Sequence, residues 1–184
     1  IIDAYYVTTP LSALQDCFVN SSYNEACLDG TKCLKYNQTE IVSYLQANTF
    51  DLIILSVGTG PDIESEGNDR ASFALPNNQS QLLEDVLTTI NPVRTKVLLL
   101  TLSGTPMDIH TAHVSDAVPG IIHVGFGAQE LGEALKMAII GNGLSQFGRL
   151  PFTWPKQQSD LPGDLTRYDM TSGFTYRYSR AEPL

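Results

Sequence analysis

Apolar and polar positions alternate with two different periods along this chain. Residues 51–58, Asp-Leu-Ile-Ile-Leu-Ser-Val-Gly, form a short apolar run closed by glycine, which predicts a strand buried on both faces. Residues 97–102 and 121–124 have the same character. Between these runs the period lengthens. Apolar residues at 41, 42 and 45 predict a helix over 40–46 that Thr39 could cap. Apolar residues at 82, 83, 86, 87 and 90 predict a helix over 78–90, stopped by Asn91-Pro92. A third helix is expected over 129–140, ending at Gly141. Strands alternating with amphipathic helices define an α/β fold, a three-layer α/β/α sandwich around a largely parallel sheet.

The organisation is that of a single domain, with an entry segment over 1–38, the α/β core over 39–155 and a Pro- and Tyr-containing tail over 156–184. No internal repeat or low-complexity tract interrupts it. The 20 acidic residues against 11 Lys and Arg give a net charge of -9 with no basic stripe, which excludes nucleic acid and anionic membrane as expected partners. The longest apolar runs fall far short of the roughly 20 residues a membrane-spanning helix needs.

Three cysteines occur. Cys27 and Cys33 have the spacing to close a small loop, and Cys17 is odd, either a buried thiol or the partner of a cysteine elsewhere. Asn-x-Ser/Thr sequons at Asn20, Asn37 and Asn78 offer three glycosylation sites. Together they predict a secreted, extracellular glycoprotein with a Cys27–Cys33 disulfide, and Asn37 as the most exposed of the three acceptors.

Chemistry concentrates in residues 58–70, where Asp62, Glu64, Glu66, Asp69 and Arg70 follow a predicted strand. Ligands of open α/β sheets bind off the carboxyl ends of strands, so this loop is placed for a site. An EF-hand reading fails because Phe73 stands where the bidentate Glu belongs. His110, His113 and Asp116 could share one helical face, but surface and capping roles are favoured over a metal, so no metal is expected. Gly125, Gly127 and Gly132 make an incomplete dinucleotide fingerprint with no acidic residue on schedule, so no cofactor is expected. Ser103 lies outside a nucleophile elbow.

Several segments, in order, carry a resemblance. They are Tyr6-Val7-Thr8-Thr9-Pro10-Leu11, the Cys27/Cys33 pair, Val57-Gly58 through Ile63-Glu64-Ser65-Glu66-Gly67-Asn68-Asp69-Arg70, and Leu75-Pro76 with Gln79. They continue through Leu102-Ser103-Gly104-Thr105-Pro106, residues 125–132, Gly148-Arg149-Leu150-Pro151-Phe152-Thr153-Trp154-Pro155 and Thr175-Tyr176-Arg177-Tyr178. The chain resembles the C-terminal α/β sandwich domain of glycoside hydrolase family 3, its β-xylosidase branch most closely.

That resemblance implies a retaining β-glycosidase, which works with two carboxyl groups roughly 5 Å apart. The nucleophilic Asp then belongs to a separate N-terminal barrel domain, the expected partner along with carbohydrate. The family pattern from Val57-Gly58 assigns the acid/base role to Glu64, with Glu66 as second candidate, and leaves Asp69 and Arg70 as sugar-hydroxyl or loop-fixing groups. A catalytic Glu64 is expected to project into open space beneath the barrel, free of any intramolecular Arg. With half the catalytic pair absent, the chain alone is expected to be inactive. The alternative is a non-catalytic extracellular carbohydrate-binding or structural domain derived from the same fold.

Overall fold

The structure, a computed structural model, describes residues 7–141, 147–148 and 150–160. Arg149 and the tail beyond residue 160, including residues 175–178 of the resemblance, lie outside the described residues.

Three strands, β1 (Leu52–Gly58), β2 (Lys96–Leu102) and β3 (Gly120–His123), form a parallel sheet in the order β1-β2-β3. Leu52 lies opposite Lys96 and Leu98 opposite Gly120. Helix α3 (Gln79–Thr89) connects the first pair and α4 (His110–His113) the second. Parallel crossovers are right-handed, so two of them stepping in one direction deliver both helices to the same face. The core shows this. Leu55, Val57, Val97 and Leu99, alternate positions of β1 and β2, pack with Leu82, Leu83 and Val86 of α3 and Ala112 of α4. Helix α2 (Gln38–Ala47) adds Ile41 to the cluster.

The expectation of burial on both faces holds for central β2, where Leu99, Leu100 and Thr101 are all fully buried. It fails at edge strand β1. Ser56 is exposed, because α2 and α3 cover only the face to which Leu55 and Val57 point. The cap of α2 is also corrected. Asn37, not Thr39, is the N-cap: its Oδ1 accepts from the Glu40 N–H at 3.3 Å while its Nδ2 donates to Glu40 Oε2 at 2.7 Å. This reciprocal pair satisfies an orphan donor that Thr39, already inside the first turn, cannot reach.

Helix α1 (Pro10–Leu14), which the hydrophobic pattern does not reveal, starts from a Thr9 cap that accepts from the Ser12 N–H. It packs against α5 (Leu131–Ile140). Gly132 makes that contact possible. A Cβ there would lie 2.3 Å from the Thr9 carbonyl oxygen, and the Gly132 N–H donates to Thr8 O at 2.9 Å. The late glycine of the apparent dinucleotide fingerprint therefore serves close packing between chain segments.

Candidate functional site

The carboxyl ends of β1 and β2 meet at Gly58 and Leu102. A Cβ on Gly58 would sit 2.0 Å from Leu102 O, so only glycine lets the strands approach this closely. Thr59 N–H still donates to Leu102 O at 2.9 Å, and the chain then leaves the sheet. The free side of Gly58 is closed by a side chain. Gln79, 3% exposed at the start of α3, accepts from Gly58 N–H at 2.7 Å and donates to Gly58 O at 2.8 Å and Thr31 O at 2.6 Å.

Beyond Gly60 the backbone turns, with Ile63 and Glu64 N–H groups both donating to Gly60 O at 2.9 and 3.0 Å. Ser65 and Asn68 then exchange backbone bonds across a tight reversal, which returns Arg70 to Glu64. Arg70 Nε contacts Glu64 Oε2 at 2.9 Å, with side-chain exposures of 12% for Arg70 and 20% for Glu64. Thr105, in the loop after β2, donates its hydroxyl to the same carboxylate, with Oε1 at 3.1 Å and Oε2 at 3.2 Å. The Thr105 oxygen in turn accepts from Arg70 Nη2 at 2.7 Å.

These contacts correct the expectation of a free Glu64. The acidic loop is short and doubles back on itself, so the Arg six residues on becomes the nearest cation, and Glu64 is clamped. They also engage Arg70. Its remaining N–H groups donate to Pro106 O at 2.9 Å and to Ser72 O and Ala74 O at 3.4 Å each, so all five donors of the guanidinium are engaged within the domain. In this arrangement Arg70 ties the loop to the segment after β2.

Glu66 and Asp62 are exposed, Asp62 accepting from the Thr31 hydroxyl at 2.9 Å. Asp69 is exposed and borders, with Arg70, Ile63, residues 71–72 and residues 74–77, a shallow recess of about 440 Å³ that does not include Glu64. The fold thus brings Glu64 and Arg70 together with Thr105, and leaves Glu66 and Asp69 apart from them. Among the described residues no cluster of three or more His, Cys, Asp or Glu could hold a metal ion. Helix α4 ends at His113, before Asp116.

The Cys27–Cys33 disulfide is present, with 4.7 Å between Cα atoms, and Cys17 is a free, half-buried thiol donating to Ala13 O. Of the three sequons, Asn20 and Asn37 are exposed. Asn78 is half-buried, and its amide nitrogen donates to Cys33 O at 2.9 Å and Leu34 O at 3.4 Å. A glycan would have to replace one of those hydrogens.

Three features of this region escape sequence reasoning as parts of a site: Thr31, Thr105 and an aromatic group at the end of β3. There the His123 ring lies 5.3 Å from Phe152 and 5.1 Å from Trp154, its Nδ1 is 3.1 Å from Thr101 Oγ1, and burial lowers its pKa from the usual 6.5. Trp154 Nε1 anchors the group to Met107 O. No local pattern marks these residues; Leu102-Ser103-Gly104-Thr105-Pro106 and Phe152-Thr153-Trp154 stand out only through the resemblance.

Fold and loop together define a parallel α/β domain that displays an ordered carboxylate off the carboxyl ends of its strands. The family model described as "Glycosyl hydrolase family 3 C-terminal domain" matches residues 2–182, and the chain belongs to that family. It is 32% identical over 95% of its length to a β-xylosidase/α-L-arabinofuranosidase of Medicago sativa subsp. varia, and 31% identical over 92% to a probable β-D-xylosidase of Arabidopsis thaliana. It spans only 22% of the length of either relative. A Kluyveromyces marxianus β-glucosidase solved with glucose superposes with a TM-score of 0.54 at 25% identity, over 67% of this chain and 14% of that one. A family 3 exo-β-xylosidase shares the fold with a TM-score of 0.55 over 76% of this chain and 17% of that one.

Proposed function

We propose that this chain is the sandwich domain of a secreted retaining β-glycosidase of the β-xylosidase or β-glucosidase type, and that Glu64 is its acid/base residue. One observation carries the assignment. Among the acids of the loop, Glu64 alone is held in a defined position by two neighbours while keeping part of its surface open. Productive geometry demands a side chain locked by its surroundings, which exposed Glu66 lacks. In this reading a barrel domain contributes the nucleophilic carboxylate, and the Glu64 carboxyl protonates the departing glycosidic oxygen. The resulting carboxylate then takes a proton from the water that hydrolyses the glycosyl intermediate. In this reading the sandwich domain without the barrel is inactive. The disulfide and the exposed sequons at Asn20 and Asn37 support an extracellular route.

The Arg70 clamp favours a second reading, in which Glu64 only pins the loop of a non-catalytic carbohydrate-binding or structural domain. Glu64→Gln in the complete glycosidase separates the two. The catalytic reading requires a loss of roughly 10² to 10⁴ in kcat/KM on a disaccharide, and a much smaller loss of kcat/KM on an aryl glycoside whose leaving group needs little protonation. Unchanged disaccharide hydrolysis assigns Glu64 to structure alone.

A further inference from the structure

The loop closed by Cys27 and Cys33 lies against the acidic loop, and its hydrogen bonds are directional. Asn77, Asn78 and Gln79, around the start of α3, hold the carbonyl oxygens of Lys32, Cys33 and Thr31, at 2.7, 2.9 and 2.6 Å. The disulfide ties the same segment to Cys27, and Cys33 is fully buried. Thr31 is therefore fixed through its backbone. Its side chain faces the turn that carries Glu64: Oγ1 donates to Asp62 Oδ1 at 2.9 Å, and it would stand 2.8 Å from a Cβ placed on Gly60. Gly60 O is the acceptor for the Glu64 N–H.

Resting on the acid/base reading of Glu64, we propose that Thr31 is a positioning residue, through which the disulfide-closed loop fixes the 60–64 turn and hence the Glu64 carboxylate. Arg70 and Thr105 grip that carboxylate at its tip, whereas Thr31 holds the turn beneath it through the Asp62 side chain. Without the Thr31–Asp62 bond the turn keeps its backbone contacts, the Asn68–Ile63 bond and the grip on Glu64 but loses its tie to the disulfide-closed loop, and Glu64 shifts relative to the glycosidic oxygen. Proton transfer is sensitive to such displacements, while nucleophilic attack from another domain is not.

The test compares Thr31→Val and Thr31→Ser with wild type in the complete glycosidase, on a disaccharide and on a dinitrophenyl β-glycoside. Valine keeps the shape and removes the donor; serine keeps the donor. Thr31→Val is expected to lower kcat/KM on the disaccharide by about 10-fold and to change kcat/KM on the dinitrophenyl substrate by less than about 2-fold, with Thr31→Ser restoring both. Asp62→Ala removes the same bond from an exposed position and should give the same split, and the double variant should be no worse than either single one. A proportional loss on both substrates, no loss on either, or additive effects in the double variant would each overturn the proposal. Glu64→Gln measured alongside keeps the readings separate. If it spares the disaccharide, the acid/base assignment fails; if it is selectively impaired while Thr31→Val is not, only the brace fails.

Discussion

Gln79→Leu is the sharpest perturbation of this architecture. The Gln79 amide makes three hydrogen bonds, to Gly58 N, Gly58 O and Thr31 O, and is 3% exposed. Leucine fills nearly the same volume, so no cavity term enters. What remains are the partners. Gly58 N–H and C=O face the space that Gln79 fills, and a buried backbone group left unsatisfied costs about 1–3 kcal/mol. With two groups orphaned on Gly58 and one bond lost at Thr31, the destabilisation should be about 3–5 kcal/mol. For a domain of this size each kcal/mol moves Tm by about 2–4 °C, so a fall of about 10 °C is expected in thermal unfolding followed by circular dichroism. Gln46→Leu on the exposed side of α2 is the control, expected within about 0.5 kcal/mol of wild type. Gln79→Glu should behave no better than the leucine variant, since a carboxylate still accepts from Gly58 N–H but opposes two carbonyl oxygens. A Gln79→Leu shift as small as that of the control would refute the view that this amide closes the edge of β1.

Other outcomes follow from the same contacts. Asp85 is buried, which works to raise its pKa, but hydrogen bonds from Tyr36 at 2.6 Å, Gln38 and Gln81 outweigh burial and hold it below the usual 3.8. Its contribution to stability is complete above pH 3.8 and lost as pH falls below it, so Asp85→Asn should flatten the acid limb of a stability-against-pH curve measured by urea unfolding. Tyr36 is shifted the opposite way, chiefly by burial, with the Asp85 hydrogen bond and charge adding, so stability should also fall as pH rises above 10.0. Non-reducing peptide mapping should recover Cys27 and Cys33 joined and Cys17 alkylatable after unfolding; a Cys17 mixed disulfide with either would contradict the fold. Glycopeptide analysis after secretion should find Asn37 occupied and Asn78 bare, because Asn37 spends one amide hydrogen on Glu40 and Asn78 spends its amide nitrogen on two backbone carbonyls.

The strands and long helices were legible because burial imposes its period on the sequence. Leu82, Leu83 and Val86 recur at helical spacing because one face of α3 docks on the sheet, and the apolar run of β2 reflects a central strand covered on both sides. The disulfide and the position of the acidic loop were legible for similarly local reasons, a short cysteine spacing and a strand that ends at Gly58. Helix α1 was not legible, since five residues are too few to show a period, and its Thr9 cap became clear only in the structure. What the sequence left open was decided by contacts between residues far apart in it. Arg70 and Thr105 are 35 residues apart, Thr31 and Asp62 31, Gln79 and Thr31 48. How Arg70 is held depends on where five carbonyl, hydroxyl and carboxylate acceptors converge, and no periodicity records that. The residue types of the site are thus written in one loop, but its geometry comes from packing that loop between the disulfide-closed segment and the turn after β2.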